Sequence, residues 1–308
     1  MTKSVLKHKV TFDEFCTKHT KVLCKLLRKD HEIYKNWLDF MVNEYTGLAR
    51  DEQYFERIEN STIIALLTES IDCLDGVSIL HRQGAVNPAY PLIRKLMELN
   101  FQIKFLLQSD TPNRALAFEA YYVSRKTKGE DNTQNIYLQF AKYSEYKKEA
   151  DKIFEENYTG NYPEWYGVYD KVEKQSCSQR QQKSFINSIK KLCKEIGDNE
   201  IYNKTYNLIS KNIHGIFSRD RIRLLPSVNQ NYICDYRDPK GITYQTRISN
   251  VMMTEIYCSF CKHYGRIKSD QFLKNQFELI NAIRILEEQY EKFVQEQDET
   301  LMKKLKNI

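Results

Sequence analysis

Residues 87–108 read NPAYPLIRKLMELNFQIKFLLQ, and this stretch decides the fold. Asn87 followed by Pro88 is a typical helix start, because asparagine caps the first turn and proline needs no hydrogen-bond donor there. Beyond Pro88, apolar side chains recur at helical spacing and cover most of the circumference. The stretch therefore predicts a central, largely buried helix that ends near Gln108.

The composition favours an all-α protein. The chain has 308 residues but only 10 glycines and 6 prolines, well below the usual shares of about 7% and about 5%. A hydrophobic share of 41% argues against a disordered chain, because there is ample apolar surface to bury. We predict one helical bundle domain over residues 53–308, preceded by an amino-terminal helical extension over residues 1–52.

Other segments with helical spacing of apolar residues complete the predicted bundle. In the extension, two amphipathic helices are expected at residues 11–29 and 34–45. In the bundle domain, helices are expected at residues 56–82, 112–126, 134–157, 181–196, 201–215, 247–266 and 271–297.

Residues 224–246 break the helical pattern. Two runs typical of strands, 232–236 and 242–246, flank the sequence Asp238-Pro239-Lys240-Gly241, which is typical of a type I turn. We therefore predict a small β-hairpin insertion near residues 230–246.

The segment 201–215 carries two helical faces of different character. One face is neutral but rich in hydrogen-bonding groups, which suits a cleft, a partner surface or a buried polar network. Its members are Asn203, Asn207, Ser210 and His214. The other face is an apolar stripe, formed by Tyr202, Tyr206, Ile209 and Ile213.

Arg94 and Glu98 are the charged pair of the predicted central helix. Their i, i+4 spacing permits a side-chain contact, and buried charges need partners because desolvation is costly. The pair is either an ion pair that fixes helix packing, or a site in which Arg94 reaches a phosphate and Glu98 orients it or acts as an acid or base.

His214 is a candidate general acid or base, with Ser210 and Asn207 positioning it or the substrate. Its alternative role is packing, which is common for a single histidine. Nearby charge favours an anionic ligand, since residues 180–223 carry ten Lys or Arg against four Asp or Glu. Lys211, Arg219 and Arg221 are therefore candidate phosphate ligands, unless they are simply solvated.

Metal and cofactor sites are not expected. Cys258 and Cys261 form a single C-x-x-C beside His263, with no second pair at zinc spacing. Glycine-rich nucleotide loops, H-E-x-x-H, G-x-S-x-G and the Glu-x-x-His pairs of di-metal bundles do not occur. Scattered cysteines and the lack of an apolar span or leader indicate a cytoplasmic protein without a membrane partner.

Two motifs resemble those of a family of uncharacterised bacterial helical proteins. They are leucine-x-arginine-x-x-x-glutamate, here Leu92 to Glu98, and serine-x-x-x-histidine-glycine, here Ser210 to Gly215. That family is similar in general plan to the HEPN superfamily, helical and often dimeric proteins that bind nucleotides or cut RNA, many in toxin and phage-defence systems. The resemblance implies a HEPN-like bundle, a homodimer and RNA or a nucleotide as partner.

Active HEPN ribonucleases place arginine before histidine with four to six residues between the two, and this chain has no arginine there. Either Arg94 or Arg219 supplies the cation through space, or the protein does not cleave. The leading hypothesis is a HEPN-like RNA- or nucleotide-binding protein that cuts RNA without metal, with His214, Arg94 and Glu98 as catalytic residues. The alternative is a non-catalytic helical interaction module in which these residues form a structural polar network.

Overall fold

The computed structural model describes residues 20–49, 57–126, 136–156, 164–175, 185–213, 222–225, 230–233, 241–265 and 270–306. In these residues the protein is helical except for two four-residue strands, which confirms the predicted all-α class. The helices are α1 (Lys21–Ala49), α2 (Ile58–Arg82), α3 (Val86–Gln108), α4 (Thr111–Lys126), α5 (Ala141–Glu156), α6 (Trp165–Gln175), α7 (Ile189–Ile196), α8 (Asn199–Ile201), α9 (Asn207–Ile213), α10 (Ile242–His263) and α11 (Asp270–Lys306). A 3₁₀ turn, Ile136–Gln139, precedes α5, and a π-helical turn, Tyr202–Tyr206, joins α8 to α9.

Helix α3 lies at the centre of the fold, as predicted. It begins at Val86, so Pro88 still falls in the first turn, where a missing N–H costs no helical bond. Every residue from Leu99 to Ile103 is buried. Helices α2 and α10 pack along α3, and α7 and α9 pack against it as well. The side chains of α3 that remain partly open, including Arg94 and Glu98, therefore lie in a narrow strip between its neighbours.

The other helices form groups on either side of this centre. Helix α4 packs against α5 and α6, and α1 packs against α2 and α11. Leu23, Trp37 and Met41 of α1 are buried in the same hydrophobic core as α3. The division into an extension, residues 1–52, and a bundle domain, residues 53–308, stays a prediction. In the described part of the chain, no helix combines the length and the apolar character that a bilayer crossing requires.

Helix α1 differs from the predicted pair of short helices. It is continuous from Lys21 to Ala49 and passes through Asp30 and His31, the residues that separate the two amphipathic runs. Both polar side chains have partners on neighbouring helices: Asp30 contacts His81 and Thr246, and His31 contacts Ser78. These hydrogen bonds to other helices satisfy the two polar side chains, which at a helix break would have bonded to water.

Helix α6 was not predicted from the sequence. Its first residue, Trp165, is buried against Phe105, and its indole Nε1 donates a 2.8 Å hydrogen bond to Gln102 on α3. A short, aromatic-rich helix of this kind forms because its side chains fill a gap between α3 and α4, which no local periodicity reveals.

The predicted hairpin near residues 230–246 is wrong. Residues 242–246, expected as its second strand, form the first turn of α10, which begins after Gly241. Gln245 and Thr246 are buried there by hydrogen bonds to His81 and Asp30, and this packing overrides the strand preference of Ile242 and its neighbours. The two strands that the structure does have, Ile222–Leu225 and Gln230–Ile233, pair antiparallel earlier in the chain.

Candidate functional site

The candidate site lies where α3 meets the helical segment 199–213. On this segment the predicted apolar stripe is confirmed, since Tyr206 and Ile209 are buried and Ile213 is partly buried. The stripe runs through the π-helical turn, in which the N–H of Asn207 donates to the carbonyl of Tyr202, five residues back. Such turns are rare and are often found at functional sites.

Three side chains from the two helices form a closed cluster. Arg94 Nε donates to Glu98 Oε1 at 2.9 Å and to the Tyr206 hydroxyl at 3.1 Å. The Tyr206 hydroxyl in turn donates to Glu98 Oε1 at 2.6 Å. The Arg94 guanidinium also lies over the Tyr206 ring, 5.4 Å from its centroid. We call Arg94, Glu98 and Tyr206 the Arg–Glu–Tyr cluster.

The cluster fixes the charge of Arg94 and of Tyr206. Burial raises the pKa of Tyr206, and the hydrogen bond to the Glu98 carboxylate raises it further, so Tyr206 is a neutral phenol and a donor. Burial lowers the pKa of Arg94, but Tyr206 and Glu98 outweigh burial and the net pKa is raised. Arg94 is therefore a permanent cation held in one orientation.

The outer part of the Arg94 guanidinium remains available. Both of its hydrogen bonds use Nε, and within the described residues neither terminal nitrogen makes a hydrogen bond. The Arg94 side chain keeps 31% of its surface exposed and that of Glu98 keeps 21%. The two terminal nitrogens lie in one plane and have no partner among the described residues. They can therefore donate two parallel hydrogen bonds to two oxygens of a phosphate.

The inner side of the cluster continues into the core. Burial raises the pKa of the Tyr166 phenol on α6, and the nearby charges of Glu164 and Glu98 raise it further. Tyr166 is buried, and most of the Glu98 side chain is enclosed as well. The cluster thus has one face in the interior and one at the surface.

The remaining predicted site residues lie in different surroundings. Asn207 and Lys211 are exposed, so they do not belong to the buried part of the cluster. Ser210, one turn after Tyr206, is partly buried, and its Oγ is enclosed without a hydrogen-bond partner among the described residues. His214, Arg219 and Arg221 lie outside the described residues, and their roles stay predictions.

Tyr206 is the member of the candidate site that the sequence did not reveal. Its spacing assigned it to the apolar stripe, and its ring does pack there, but its hydroxyl completes the site. The π-helical turn was missed as well, since it has no recognised sequence signal. The Arg94–Glu98 contact, by contrast, follows directly from the i, i+4 spacing and is confirmed.

A second polar cluster lies in the interior, on α1, α2 and α10. His81 Nδ1 lies 2.9 Å from Asp30 Oδ2, and His81 Nε2 lies 2.7 Å from Gln245 Oε1. Asp30, His81 and Gln245 are all completely buried. No substrate can reach them, so this cluster is structural.

The cysteines of the C-x-x-C motif lie in α10, where Cys258 is partly buried and Cys261 is buried. Across the ranges that the structure describes, no three His, Cys, Asp or Glu side chains are grouped as metal ligands. The site that the fold defines is therefore an arginine held by a carboxylate and a phenol, on the surface of an all-helical protein.

Comparison with protein families agrees with the segment that carries this site. Residues 60–221 match the model of a family of unknown function, DUF5677. The match covers more than half of the chain, and the protein belongs to this family. Both halves of the Arg–Glu–Tyr cluster lie inside the matched segment, whereas α10 and α11 lie outside it. No curated protein and no solved structure matches the chain.

Proposed function

We propose that this protein is a HEPN-like protein that binds RNA or a nucleotide, with Arg94 as the principal phosphate ligand. The observation that carries the proposal is the orientation of Arg94. Glu98 and Tyr206 accept hydrogen bonds from its Nε alone. Its two terminal nitrogens make no hydrogen bond to any described residue. An arginine that serves only packing would gain by satisfying these donors inside the protein.

The reaction we propose is RNA cleavage without metal. A base removes the proton of a 2′-hydroxyl, the oxygen forms a bond to the adjacent phosphorus, and the bond to the 5′-oxygen breaks as that oxygen takes up a proton. The products are a 2′,3′-cyclic phosphate and a 5′-hydroxyl end. His214 is the proposed acid or base, and Arg94 stabilises the charge that develops on the phosphate oxygens.

Other predicted residues would have supporting roles. Asn207 and Ser210 would position the substrate, and Lys211, Arg219 and Arg221 would contact further phosphates. The Oγ of Ser210 is enclosed and has no hydrogen-bond partner among the described residues, so a side chain that packs beside it could accept or donate a hydrogen bond there. A role as toxin or phage-defence effector belongs to the same proposal, as does a homodimer, which light scattering of the purified protein tests.

The experiment incubates total RNA with the purified protein in EDTA and compares wild type with Arg94→Ala and His214→Ala. Arg284→Ala is the matched control, because Arg284 and Glu288 form an exposed i, i+4 pair on α11 with an Nη1–Oε1 distance of 3.1 Å. We expect cleavage by wild type and the control, and a loss of at least about a hundredfold in the two site variants. RNA that stays intact with wild type overturns the cleavage step.

Binding is measured separately from cleavage. The same four proteins are titrated against a labelled RNA in which every 2′-hydroxyl is methylated, so that the attacking group is blocked. Weaker binding by Arg94→Ala than by Arg284→Ala supports the phosphate role of Arg94. Equal binding by these two variants overturns it.

A second candidate function is a non-catalytic interaction module. The observation that favours it is that Glu98 is mostly enclosed and that its charge raises the pKa of the buried Tyr166 phenol. In that role Arg94→Ala would lower the free energy of unfolding strongly and leave RNA binding unchanged. The urea unfolding of the same variants therefore separates the two candidates.

A further inference from the structure

We infer that the nucleic acid bound at Arg94 is single-stranded and that one of its bases stacks on Tyr202. This inference rests on the proposed function, because it names the class of ligand that the same site takes. It is carried by an aromatic stack beside Arg94 that the phosphate chemistry does not use.

The stack consists of Tyr202 and Tyr206. Their ring centroids are 5.3 Å apart and their planes differ by 22°, so the rings lie face to face. Tyr206 is held in place by its hydroxyl, which contacts both Glu98 and Arg94. A ring stacked on Tyr206 therefore inherits a fixed orientation relative to the Arg94 guanidinium.

Tyr202 is the outer member of this stack. Tyr206 also has Phe101 against its ring and is buried, whereas Tyr202 is only partly buried. Among the described residues, Tyr206 is the only ring that Tyr202 contacts. One face of Tyr202 is thus covered by Tyr206, and the opposite face has no aromatic neighbour in the described ranges.

An aromatic face next to a phosphate-binding arginine suits a nucleotide whose base is not paired. Bases stack on tyrosine with little dependence on their identity, because every base has a flat π-face. In an A-form duplex the bases are already stacked on one another and the side chains of a protein reach only the edges and the backbone. The Tyr202 face therefore selects single strands, and it does so without reading a particular sequence.

The experiment measures fluorescence anisotropy with three labelled probes of equal length. They are a single-stranded RNA methylated at every 2′-oxygen, the duplex of that strand, and a strand of abasic sugar phosphates. The proteins are wild type, Tyr202→Ala, Tyr202→Trp, Arg94→Ala and the control Leu208→Ala, which changes an exposed side chain on the same segment. Circular dichroism establishes that each variant is folded.

Removal of one base–aromatic stack is expected to weaken binding of the single strand to Tyr202→Ala by about fivefold or more. Tyr202→Trp and Leu208→Ala should bind like wild type. Tyr202→Ala and wild type should bind the abasic strand equally, because that probe keeps the phosphates and lacks the bases. The duplex should bind more weakly than the single strand.

Unchanged binding of the single strand by Tyr202→Ala overturns the inference, and so does a duplex that binds as tightly as the single strand. If Arg94→Ala is weakened in the same series, the proposed function stands and only the stacking role falls. Failure of wild type to bind any of the three probes removes both.

Discussion

Tyr206 and Glu98, separated by 108 positions in the chain, share the shortest hydrogen bond of the site, 2.6 Å from the phenol oxygen to Oε1. Arg94 Nε donates hydrogen bonds to both residues, so the phenol holds the carboxylate and the guanidinium in a fixed relative orientation. The two helices are joined by this partly buried bond and by the packing of Tyr206 and Ile209 in the core.

Replacement of Tyr206 by phenylalanine should lower the free energy of unfolding by about 1–3 kcal/mol, because the buried side of Glu98 loses a donor. The ring, its stack on Tyr202 and its contact with Phe101 are kept. Urea unfolding measures the change. Tyr202→Phe is the control, and it should lie within about 0.5 kcal/mol of wild type. Equal stability of the two variants would mean that the Tyr206 hydroxyl contributes nothing to the joint.

Replacement of Asp30 by asparagine should cost more, about 3–5 kcal/mol. The Gln245 amide is oriented by its Nε2, which donates to the carbonyl of Val86 at 3.0 Å, so its oxygen faces His81. Both ring nitrogens of His81 thus face oxygen atoms, one of them from the Asp30 carboxylate. Urea unfolding, with Glu288→Gln as an exposed control, measures the loss. A cost under about 1 kcal/mol would contradict a stabilising role of the buried Asp30–His81 contact.

Stability should fall on the alkaline side. Burial raises the pKa of Tyr34, Tyr146, Tyr166, Tyr206 and Tyr290 above the ordinary value of 10.0. A raised pKa in the folded state means that the folded protein retains protons that the unfolded chain releases. The stabilisation is complete below pH 10 and decreases as the pH rises further. Melting temperatures between pH 8 and pH 11.5 test this prediction.

The ultraviolet absorbance of phenolate measures tyrosine ionisation during the same pH titration. We expect part of the 21 tyrosines to ionise only together with the loss of helical circular dichroism. Ionisation of all of them near pH 10 with the helical signal intact would contradict the prediction.

Thiol labelling should follow burial in the described residues. Burial raises the pKa of Cys73 to about 11 and that of Cys193 to about 12, with Glu69 and Asp198 respectively adding to the effect. The thiolate is the reactive form, so at pH 8 iodoacetamide should modify exposed Cys24 at least about tenfold faster than Cys73 or Cys193. Peptide mass spectrometry after timed labelling reads each site. In urea the three cysteines should react at equal rates. Equal rates in the native protein would contradict the burial of Cys73 and Cys193.

The sequence contains the central helix and half of the site. The identity of α3 follows from its apolar circumference, and the Arg94–Glu98 pair follows from spacing alone, because both are local properties of one helix. Tyr206 was placed on the correct face but assigned only to packing. Its partner lies on another helix, and no local pattern encodes a contact across 108 residues.

The errors have the same origin in tertiary contacts. Residues 242–246 have strand-forming side chains, yet His81 and Asp30 bind Gln245 and Thr246 into α10. Asp30 and His31 look like a helix break in α1 until His81 and Ser78 provide their partners. In each case the partner that decides the local structure lies on a helix far away in the chain.

The turn at Tyr202–Tyr206 has a consequence for the angular phase of the whole segment. A regular α-helix advances about 100° per residue, which would turn Tyr202 inward with Tyr206 and Ile209. The π-helical turn holds one residue more than an α-helical turn, so Tyr202 is rotated away from the direction in which Tyr206 and Ile209 face. The partial exposure of Tyr202 agrees with this rotation. Deletion of Asn203 would convert the bond from Asn207 to Tyr202 into an ordinary i to i−4 bond, so the segment would become a regular α-helix while the residues that precede the turn kept their orientation relative to α3.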